Sequence, residues 1–455
     1  MLPSTVGAST RPLDPALVAR IDHLVASRQR QWQTPNLSVG LVRDGHLIHT
    51  VHAGSARLDP AVPATDDTQF LIGSVTKTFT AVAVMALRDA GRLDLDDRLD
   101  AHLPEVAHGA LTIRRMLGHL SGLQREPVGR VWETFDNPDA TRLLAELAAA
   151  EQVLAPHEVF HYSNLAFALL GQVIERLEGR PWEDVIRERI LRPLGMSRTA
   201  LTPGDDRAHG YLVHPFSGVA TPEPVTDLKA TAPMGGLWST VTDLTRYAAF
   251  LADPDPAVLA PATVEAMCRP LVILDADTWT LGYGLSFGMV RRGERVYVGH
   301  GGAMPGFLTG LRVSRKDRLG AVVWVNSSAG AEPIVLAADL LDLVLDAEPT
   351  AVTTWVPESP TPDLAELLGP WWSEGEELVF TVREGRLWAA VRGGGPLFES
   401  RFVAEGPDRF RVDLGRERGE LLEIVRDATG LVTSCLLYTS PSPRDRTRSR
   451  MPSSA

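Results

Sequence analysis

Ser74 and Lys77 stand three residues apart and could form an activated nucleophile. Of the 45 basic residues in the chain, all but Lys77, Lys229 and Lys316 are arginine. Lysine offers a chemistry that arginine lacks, because a buried ammonium can lose its proton near neutral pH and act as a base, whereas a guanidinium stays charged. A helix starting at Ser74 would place both side chains on one face, with the hydroxyl at the positive end of the helix dipole. The pair therefore predicts a serine nucleophile with a lysine base.

A Ser-x-x-Lys spacing also arises by chance, so the interpretation depends on further motifs along the chain. Tyr162 and Asn164 are separated by one residue and precede a helical pattern, which places them on a loop. A tyrosine carries protons only where neighbouring cations lower its pKa, and Lys77 would be such a neighbour. Asn164 would point its amide toward the same site.

A third motif is His300 followed by Gly301 and Gly302, directly after the predicted strand Arg295–Gly299. Two glycines there would let a substrate approach the backbone closely. The alternative is that His300 merely caps a glycine turn.

Together the three motifs resemble the serine β-lactamase and penicillin-binding-protein superfamily, in particular the class C-like branch (peptidase family S12 type) that includes esterases, D-aminopeptidases and D-alanyl-D-alanine carboxypeptidases. The signatures of that group are Ser-x-x-Lys, Tyr-x-Asn and a strand-borne Lys/His-x-Gly, and all three occur here in the right order with similar separations. The resemblance covers about residues 15 to 346 and is supported by Met116–Leu123, Arg192–Met196, Gly235–Thr240 and Pro305–Phe307.

The resemblance implies a β-lactamase/transpeptidase-like α/β fold and assigns roles to the motif residues. Ser74 would be the nucleophile that forms an acyl-enzyme, and Lys77 and Tyr162 would share the proton transfers. The backbone N–H groups of Ser74 and Ala303 would form the oxyanion hole, which needs two donors close to the developing charge. No cofactor or metal is implied, since the sequence contains no phosphate-binding glycine loop, no dinucleotide fingerprint and no His-Glu-x-x-His.

The same resemblance implies that Asn164, His300, Gly301 and Gly302 bind the substrate. Many relatives have lysine at the position of His300, and that cation helps to hold a substrate carboxylate. A histidine is only partly charged at neutral pH, so the demand for a carboxylate should be weaker. This favours esters, amides or D-amino-acid peptides over β-lactams.

The predicted function is therefore a serine hydrolase acting through an acyl-enzyme on a small ester, amide or short D-amino-acid peptide. One alternative is a sensor for β-lactams or peptides that is acylated at Ser74 but not turned over. Others are an acyltransferase, in which an alcohol or amine replaces water, and a true β-lactamase.

Hydrophobic periodicity predicts the elements that must position these motifs. An amphipathic helix opens the chain at Pro15–Arg30, and Leu37–Thr50 alternates around Asp44-Gly45 as a hairpin. Ser74–Ala90 is apolar nearly all round and should be a buried helix. Strands at both ends of residues 1–346, with helices between them, predict one antiparallel sheet built from both termini, flanked by helices beside a helical region. The helices predicted between and after the strands are Arg142–Gln152, Asn164–Leu177, Trp182–Leu191, Thr240–Leu251 and Ile334–Leu345; the later strands are Arg295–Gly299, Gly306–Ser314 and Leu319–Asn326.

Four segments are expected: a hydrolase domain at residues 1–346, a Pro- and Thr-rich linker at 347–363, a small all-β domain at 364–434, and an unusual tail at 435–455. The β domain resembles, weakly, the lipocalin-like domains appended to some members of this group, which can mediate assembly into homo-oligomers. The tail resembles the translation of a transposase-based sequencing adapter. On this interpretation the tail is a library artefact, and the β domain before it is truncated. The alternative is a disordered tail rich in Ser, Pro and Arg.

Composition excludes several functions. With 44% hydrophobic and 22% charged residues the chain is typical of a globular protein. A net charge of -12 argues against binding to nucleic acid or to anionic membranes. The first twenty residues lack a signal-peptide pattern, and no segment is apolar enough to span a membrane, which predicts a cytoplasmic protein with a small-molecule or short-peptide substrate.

Overall fold

The computed structural model describes residues 12–438 and 447–449, except for residues 105, 158, 329, 349–355, 358 and 374–375. Contacts divide the chain into two compact units, Met1–Thr350 and Ala351–Ala455. Nearly half of the predicted linker, most of the predicted tail and the first eleven residues of the segment inspected for a signal peptide lie outside the described residues. Among those described, no helix is both long and apolar enough to cross a membrane.

Most strands of the first unit are short. In chain order the strands are β1 (Asn36–Arg43), β2 (His46–Leu58), β3 (Ala61–Pro63), β4 (Phe70–Leu71), β5 (Tyr211–Val213), β6 (Ala220–Pro222), β7 (Trp238–Ser239), β8 (Val272–Ile273), β9 (Leu281–Tyr283), β10 (Gly288–Arg292), β11 (Arg295–Met304), β12 (Phe307–Ser314) and β13 (Leu319–Val325). The longest are β1, β2, β11, β12 and β13.

The helices of this unit are α1 (Pro15–Trp32), α2 (Thr76–Asp89), α3 (Leu99–His102), α4 (Ile113–Leu117), α5 (Val131–Thr134), α6 (Ala140–Glu146), α7 (Asn164–Glu178), α8 (Trp182–Ile186), α9 (Val241–Ala252), α10 (Pro261–Met267) and α11 (Pro333–Ala347). Short 3-10 turns occupy Gly73–Val75, Leu147–Ala149 and Lys229–Met234, and a π turn occupies Arg187–Leu191.

Nine strands form one antiparallel sheet in the order β3-β2-β1-β13-β12-β11-β10-β9-β8. The first hairpin lies beside the last strand of the unit, with Leu37 opposite Val325 and Arg43 opposite Leu319. The prediction of one sheet built from both ends of this unit is therefore confirmed. Joining the two ends lets strands from distant parts of the sequence bring their motifs to one place.

Two apolar layers sandwich the sheet. On one face, α1 and α11 cover β1 and β13, with Ile21 and Val25 of α1 fully buried. On the other face a larger core joins α2, α7 and α9 to the sheet. Helix α2 is buried nearly all round, as its composition predicts, and α7 is buried along its first eleven residues. The motif residues at the starts of these two helices are therefore held by the largest core of the molecule.

The second unit begins with one short helix, α12 (Pro362–Ala365), and continues as β-strands with one 3-10 turn at Pro396–Phe398. Consecutive strands pair antiparallel, and the last pairs back with the first through Trp372 and Ser449. A separate core includes the fully buried Trp371 and Phe380. The strands are β14 (Gly369–Ser373), β15 (Glu376–Arg383), β16 (Arg386–Val391), β17 (Glu399–Gly406), β18 (Arg409–Leu414), β19 (Leu421–Arg426), β20 (Val432–Tyr438) and β21 (Thr447–Ser449).

Candidate active site

Ser74 lies in the 3-10 turn Gly73–Val75 that leads into α2. This turn requires glycine, because Gly73 has φ +52° and a side chain there would meet the backbone N of Ala303 at 2.7 Å. The hydroxyl of Ser74 faces an open cleft. The sequence prediction of a helix beginning at this serine is confirmed, with a tighter first turn than expected.

Lys77 is fully buried below the serine. Its Nζ lies 3.0 Å from Oγ of Ser74 and donates a hydrogen bond to the carbonyl of Met234 at 2.5 Å. Burial holds the pKa of Lys77 well below its ordinary value; the carboxylate of Glu126 opposes this shift, and Arg125 adds to it. A neutral amine that spends one N–H on Met234 keeps a lone pair to accept the proton of the serine.

Tyr162 lies on the loop before α7, as predicted, and lines the same cleft. Nζ of Lys77 is 5.0 Å from its ring centre. Burial raises the pKa of Tyr162 well above its ordinary value, and the hydrogen bond with Ser74 opposes this only in part. The expectation that Lys77 lowers this pKa is wrong, because the same burial favours the uncharged form of both groups. The raised pKa therefore favours the protonated form of the phenol in the resting site.

Asn164 opens α7, and its amide nitrogen donates to both carboxylate oxygens of Glu126, at 2.8 and 2.9 Å. Its Oδ1 is buried and has no hydrogen-bond partner among the described residues. An unpaired buried carbonyl oxygen costs free energy, so a ligand N–H that reached it would be favoured. The amide nitrogen of Asn164 is thus engaged by Glu126, whereas its oxygen is an acceptor without a partner among the described residues.

His300 lies inside a strand, not after one as the sequence suggested, because β11 runs on to Met304. Its Nδ1 contacts the carbonyl of Gly301 at 2.5 Å, and its Nε2 lies 3.1 Å from the hydroxyl of Tyr283. Burial first, and then the nearby Lys77, lower the pKa of His300 to about 3. Both ring nitrogens are thus occupied and the ring is neutral, so this residue offers no cation to a substrate carboxylate.

The strand β11 passes very close to the turn that carries the nucleophile. A side chain on Gly302 would meet the carbonyl of Ile72 at 2.0 Å, whereas a side chain on Gly301 would meet nothing closer than 3.8 Å. Gly302 therefore permits the close approach that brings the backbone of Ala303 beside Ser74. Two N–H groups at this junction would form the oxyanion hole that the resemblance implies.

The motif residues line one open cleft of about 1130 Å³, except for Lys77, which is buried beneath it. Three carboxylate side chains, those of Glu126, Glu223 and Glu332, also line the cleft. Among the described lining residues the only guanidinium is that of Arg125, and it is paired with Glu126 at 3.1 Å. The field in the cleft therefore favours a cationic group over an anionic one.

Sequence reasoning missed several residues of this site. Tyr283 was missed because it ends β9, a three-residue strand that has no recognisable pattern. Glu126 was missed because it belongs to none of the motifs that the sequence offers. His119 lay in a stretch used only to support the resemblance.

Over residues 21–346 the chain matches the Beta-lactamase family. The chain therefore belongs to this family, and the β-lactamase/transpeptidase-like fold is confirmed. Residues 360–439 match a domain of unknown function, DUF7586.

Among the relatives, Penicillin-binding protein 4 of Amycolatopsis lactamdurans is 29% identical over 367 residues, which cover 76% of this chain and 95% of that protein. D-aminopeptidase of Brucella anthropi is 25% identical over 433 residues, or 91% of this chain and 78% of that one. Among solved structures, the octameric penicillin-binding protein homologue from Pyrococcus abyssi superposes with a TM-score of 0.65 at 23% identity, over 95% of this chain and 99% of that one. These relatives support a serine hydrolase of this family.

Proposed function

We propose that the protein hydrolyses a small ester, amide or D-amino-acid peptide through an acyl-enzyme on Ser74. The observation that carries the proposal is the buried Lys77, whose Nζ lies 3.0 Å from the serine oxygen and whose pKa is held well below its ordinary value by burial. A base within hydrogen-bond reach of a serine hydroxyl is what acyl transfer requires.

The geometry supports a reaction in two halves, acylation and hydrolysis. Lys77 takes the proton of Ser74 as Oγ attacks the substrate carbonyl, and the N–H groups of Ser74 and Ala303 stabilise the oxyanion. Tyr162 gives its proton to the leaving amine or alkoxide when the acyl–heteroatom bond breaks, and Lys77 returns the serine proton to the phenolate. Water then attacks the acyl-enzyme in the same way, releasing the acid and restoring the serine.

Charge in the cleft favours a substrate with a free ammonium group. Glu126, Glu223 and Glu332 outnumber Arg125, and the neutral His300 would not hold a carboxylate. The unpaired Oδ1 of Asn164 could accept the N–H of such a substrate. The D-aminopeptidase relative points to the same substrate class, a D-amino acid with its amino end free.

The test is intact-protein mass spectrometry with single-turnover kinetics on the native chain and on Ser74→Ala. The substrates are a neutral p-nitrophenyl ester, a D-amino-acid p-nitroanilide and the N-acetylated form of that anilide. We expect the native chain to gain an acyl mass and release the chromophore, and Ser74→Ala to do neither. We also expect the free amine to be cleaved faster than its N-acetyl twin.

Four outcomes would change the proposal. Equal labelling of the alanine variant would remove Ser74 from the reaction. An adduct that persists for many minutes without turnover would favour the acylated sensor, and product formed only with an added alcohol or amine would favour the acyltransferase. Faster cleavage of the N-acetyl form would overturn the proposed amine preference while leaving the hydrolase intact.

A further inference from the structure

The residue that holds Tyr162 in place is His119, which lies two residues after the end of α4. His119 has φ +55°, in the left-handed region, and its side chain is fully buried. A left-handed conformation is uncommon for a residue other than glycine and costs free energy that the surrounding contacts must supply. Those contacts go to the loop that carries Tyr162.

His119 holds the backbone on both sides of the tyrosine. Its carbonyl accepts from the N–H of His161 at 2.8 Å, and its Nδ1 accepts from the N–H of Ser163 at 3.1 Å. The left-handed turn is what allows one residue to present its carbonyl and its ring to two positions flanking Tyr162. Fixing the peptides before and after Tyr162 fixes the direction in which its side chain leaves the backbone and restricts its rotamers.

The ring of His119 also packs on the ring of Tyr162. Their centres are 4.1 Å apart, with the planes tilted by 34°. Tyr283, whose hydroxyl contacts His300, lies on another side of the imidazole at 5.2 Å. His119 thus connects the tyrosine loop to the tyrosine that supports β11.

The hydrogen bonds define the state of the imidazole. Because a backbone N–H donates to Nδ1, that nitrogen must be unprotonated, so the proton of the neutral ring is on Nε2. Nε2 is buried and has no hydrogen-bond partner among the described residues. A second proton on Nδ1 would face the N–H of Ser163 and break the contact.

We infer that His119 is a positioning residue for Tyr162, acting through its Nδ1 acceptor and its ring. The inference rests on the proposed function, in which the phenol donates a proton to the leaving group. Misplacing a catalytic group by about 1 Å costs on the order of 100-fold in rate, so loss of this support should slow acylation and leave ground-state substrate binding largely unchanged.

Two variants isolate the Nδ1 contact. The amide oxygen of His119→Asn stands near the position of Nδ1, whereas that of His119→Gln reaches one bond further, toward Nε2. Both remove the ring, so their difference reports the acceptor together with the greater tolerance of Asn for the left-handed backbone of this position. We expect kcat for the p-nitroanilide to fall roughly 100-fold in His119→Gln and to recover most of this loss in His119→Asn, with KM nearly unchanged.

A double-mutant cycle with Tyr162→Phe separates positioning from general destabilisation. If His119 acts through the phenol, His119→Gln will cost little more in the Tyr162→Phe background than Tyr162→Phe costs alone. Full additivity of the two effects, with both proteins shown to be folded by circular dichroism, would overturn the inference, as would equal rates in the Asn and Gln variants. A Tyr162→Phe protein that acylates at the native rate would instead refute the role of the tyrosine in the proposed function, and the inference with it.

Discussion

At the scale of single residues, the chemistry of this site depends on which groups are uncharged. Lys77, His119 and His300 are buried together, and burial is the largest cause lowering the pKa of each one. Mutual repulsion adds to this effect, because Lys77 lowers the pKa of both histidines. A lysine with a lowered pKa can act as the base beside the serine, so the site does not need a histidine for that purpose.

The state of Lys77 predicts the pH dependence of acylation. The lowered pKa means that the amine stays unprotonated to a lower pH than an ordinary lysine, so kcat/KM should rise with pH and level off well below about 10.4, the usual lysine value. Measuring kcat/KM for the neutral ester from about pH 5 to pH 10 checks this. A rate that keeps climbing to the upper end would show that the lysine titrates normally.

Lys77→Arg is the matching substitution. It keeps much of the length of the side chain, but a guanidinium stays charged and cannot supply a base, so we expect kcat/KM to fall about 10³-fold or more. Lys316→Arg, a surface change elsewhere in the first unit, is the control and should leave the rate unchanged. An active Lys77→Arg enzyme would contradict the assignment of the lysine as base.

At the scale of elements, the oxyanion hole depends on the distance between β11 and the turn before α2. Gly302→Ala would place a methyl group 2.0 Å from the carbonyl of Ile72, which can be relieved only by moving backbone. We expect a loss of roughly 100-fold in acylation rate, because the two N–H donors would separate.

Gly301→Ala is the matched control on the same strand. Its methyl group would meet Ile334 at 3.8 Å, an ordinary contact, so the strand should keep its place and the acylation rate should fall far less than in Gly302→Ala. Comparing the two acylation rates by stopped-flow with the p-nitrophenyl ester tests the distinction. Equal losses would show that the strand tolerates no side chain for some reason other than this clash.

At the scale of the whole molecule, each unit has hydrophobic cores of its own. The two main cores of the first unit and the core of the second are separate sets of buried residues. Units with their own cores are expected to fold independently. We therefore expect a version of the chain ending at Thr350 to keep the esterase activity of the full chain.

Differential scanning calorimetry on the full chain and on this shorter version tests whether the two units unfold independently. We expect one unfolding transition to disappear with the second unit while the other keeps its midpoint. A shared single transition, or loss of activity in the shorter version, would show that the hydrolase unit depends on the β unit. Whether the β unit mediates assembly stays a prediction, as does the adapter origin of the tail.

The first residues of the predicted tail belong to a strand of the second unit. Strand β20 runs through the predicted boundary at Ser434, and the side chains of Cys435 and Leu437 are buried in the core of the second unit. Alternating apolar residues will occupy a strand position whatever their origin, because burial of apolar surface does not depend on it. Burial of these residues therefore does not test the adapter hypothesis.

Much of the fold could be predicted because its signals are local. The helix beginning at Pro15, the hairpin at Asp44-Gly45 and the buried helix after Ser74 each arise from periodicity and turn chemistry within a short window. Strands β8 to β10 could not, since segments as short as Leu281–Tyr283 owe their conformation to their neighbours in the sheet.

The reacting groups and their order can be read from the chain alone: a serine with a lysine three residues on, a tyrosine with an asparagine, and a histidine before two glycines. Their ionisation states come from tertiary packing. The pKa of Lys77 is lowered, the pKa of Tyr162 is raised, and Nε2 of His300 contacts the hydroxyl of Tyr283, because segments far apart in the chain pack around these groups and exclude water. Spacing along the chain cannot show this, since a pKa depends on the solvation and neighbours that only packing creates.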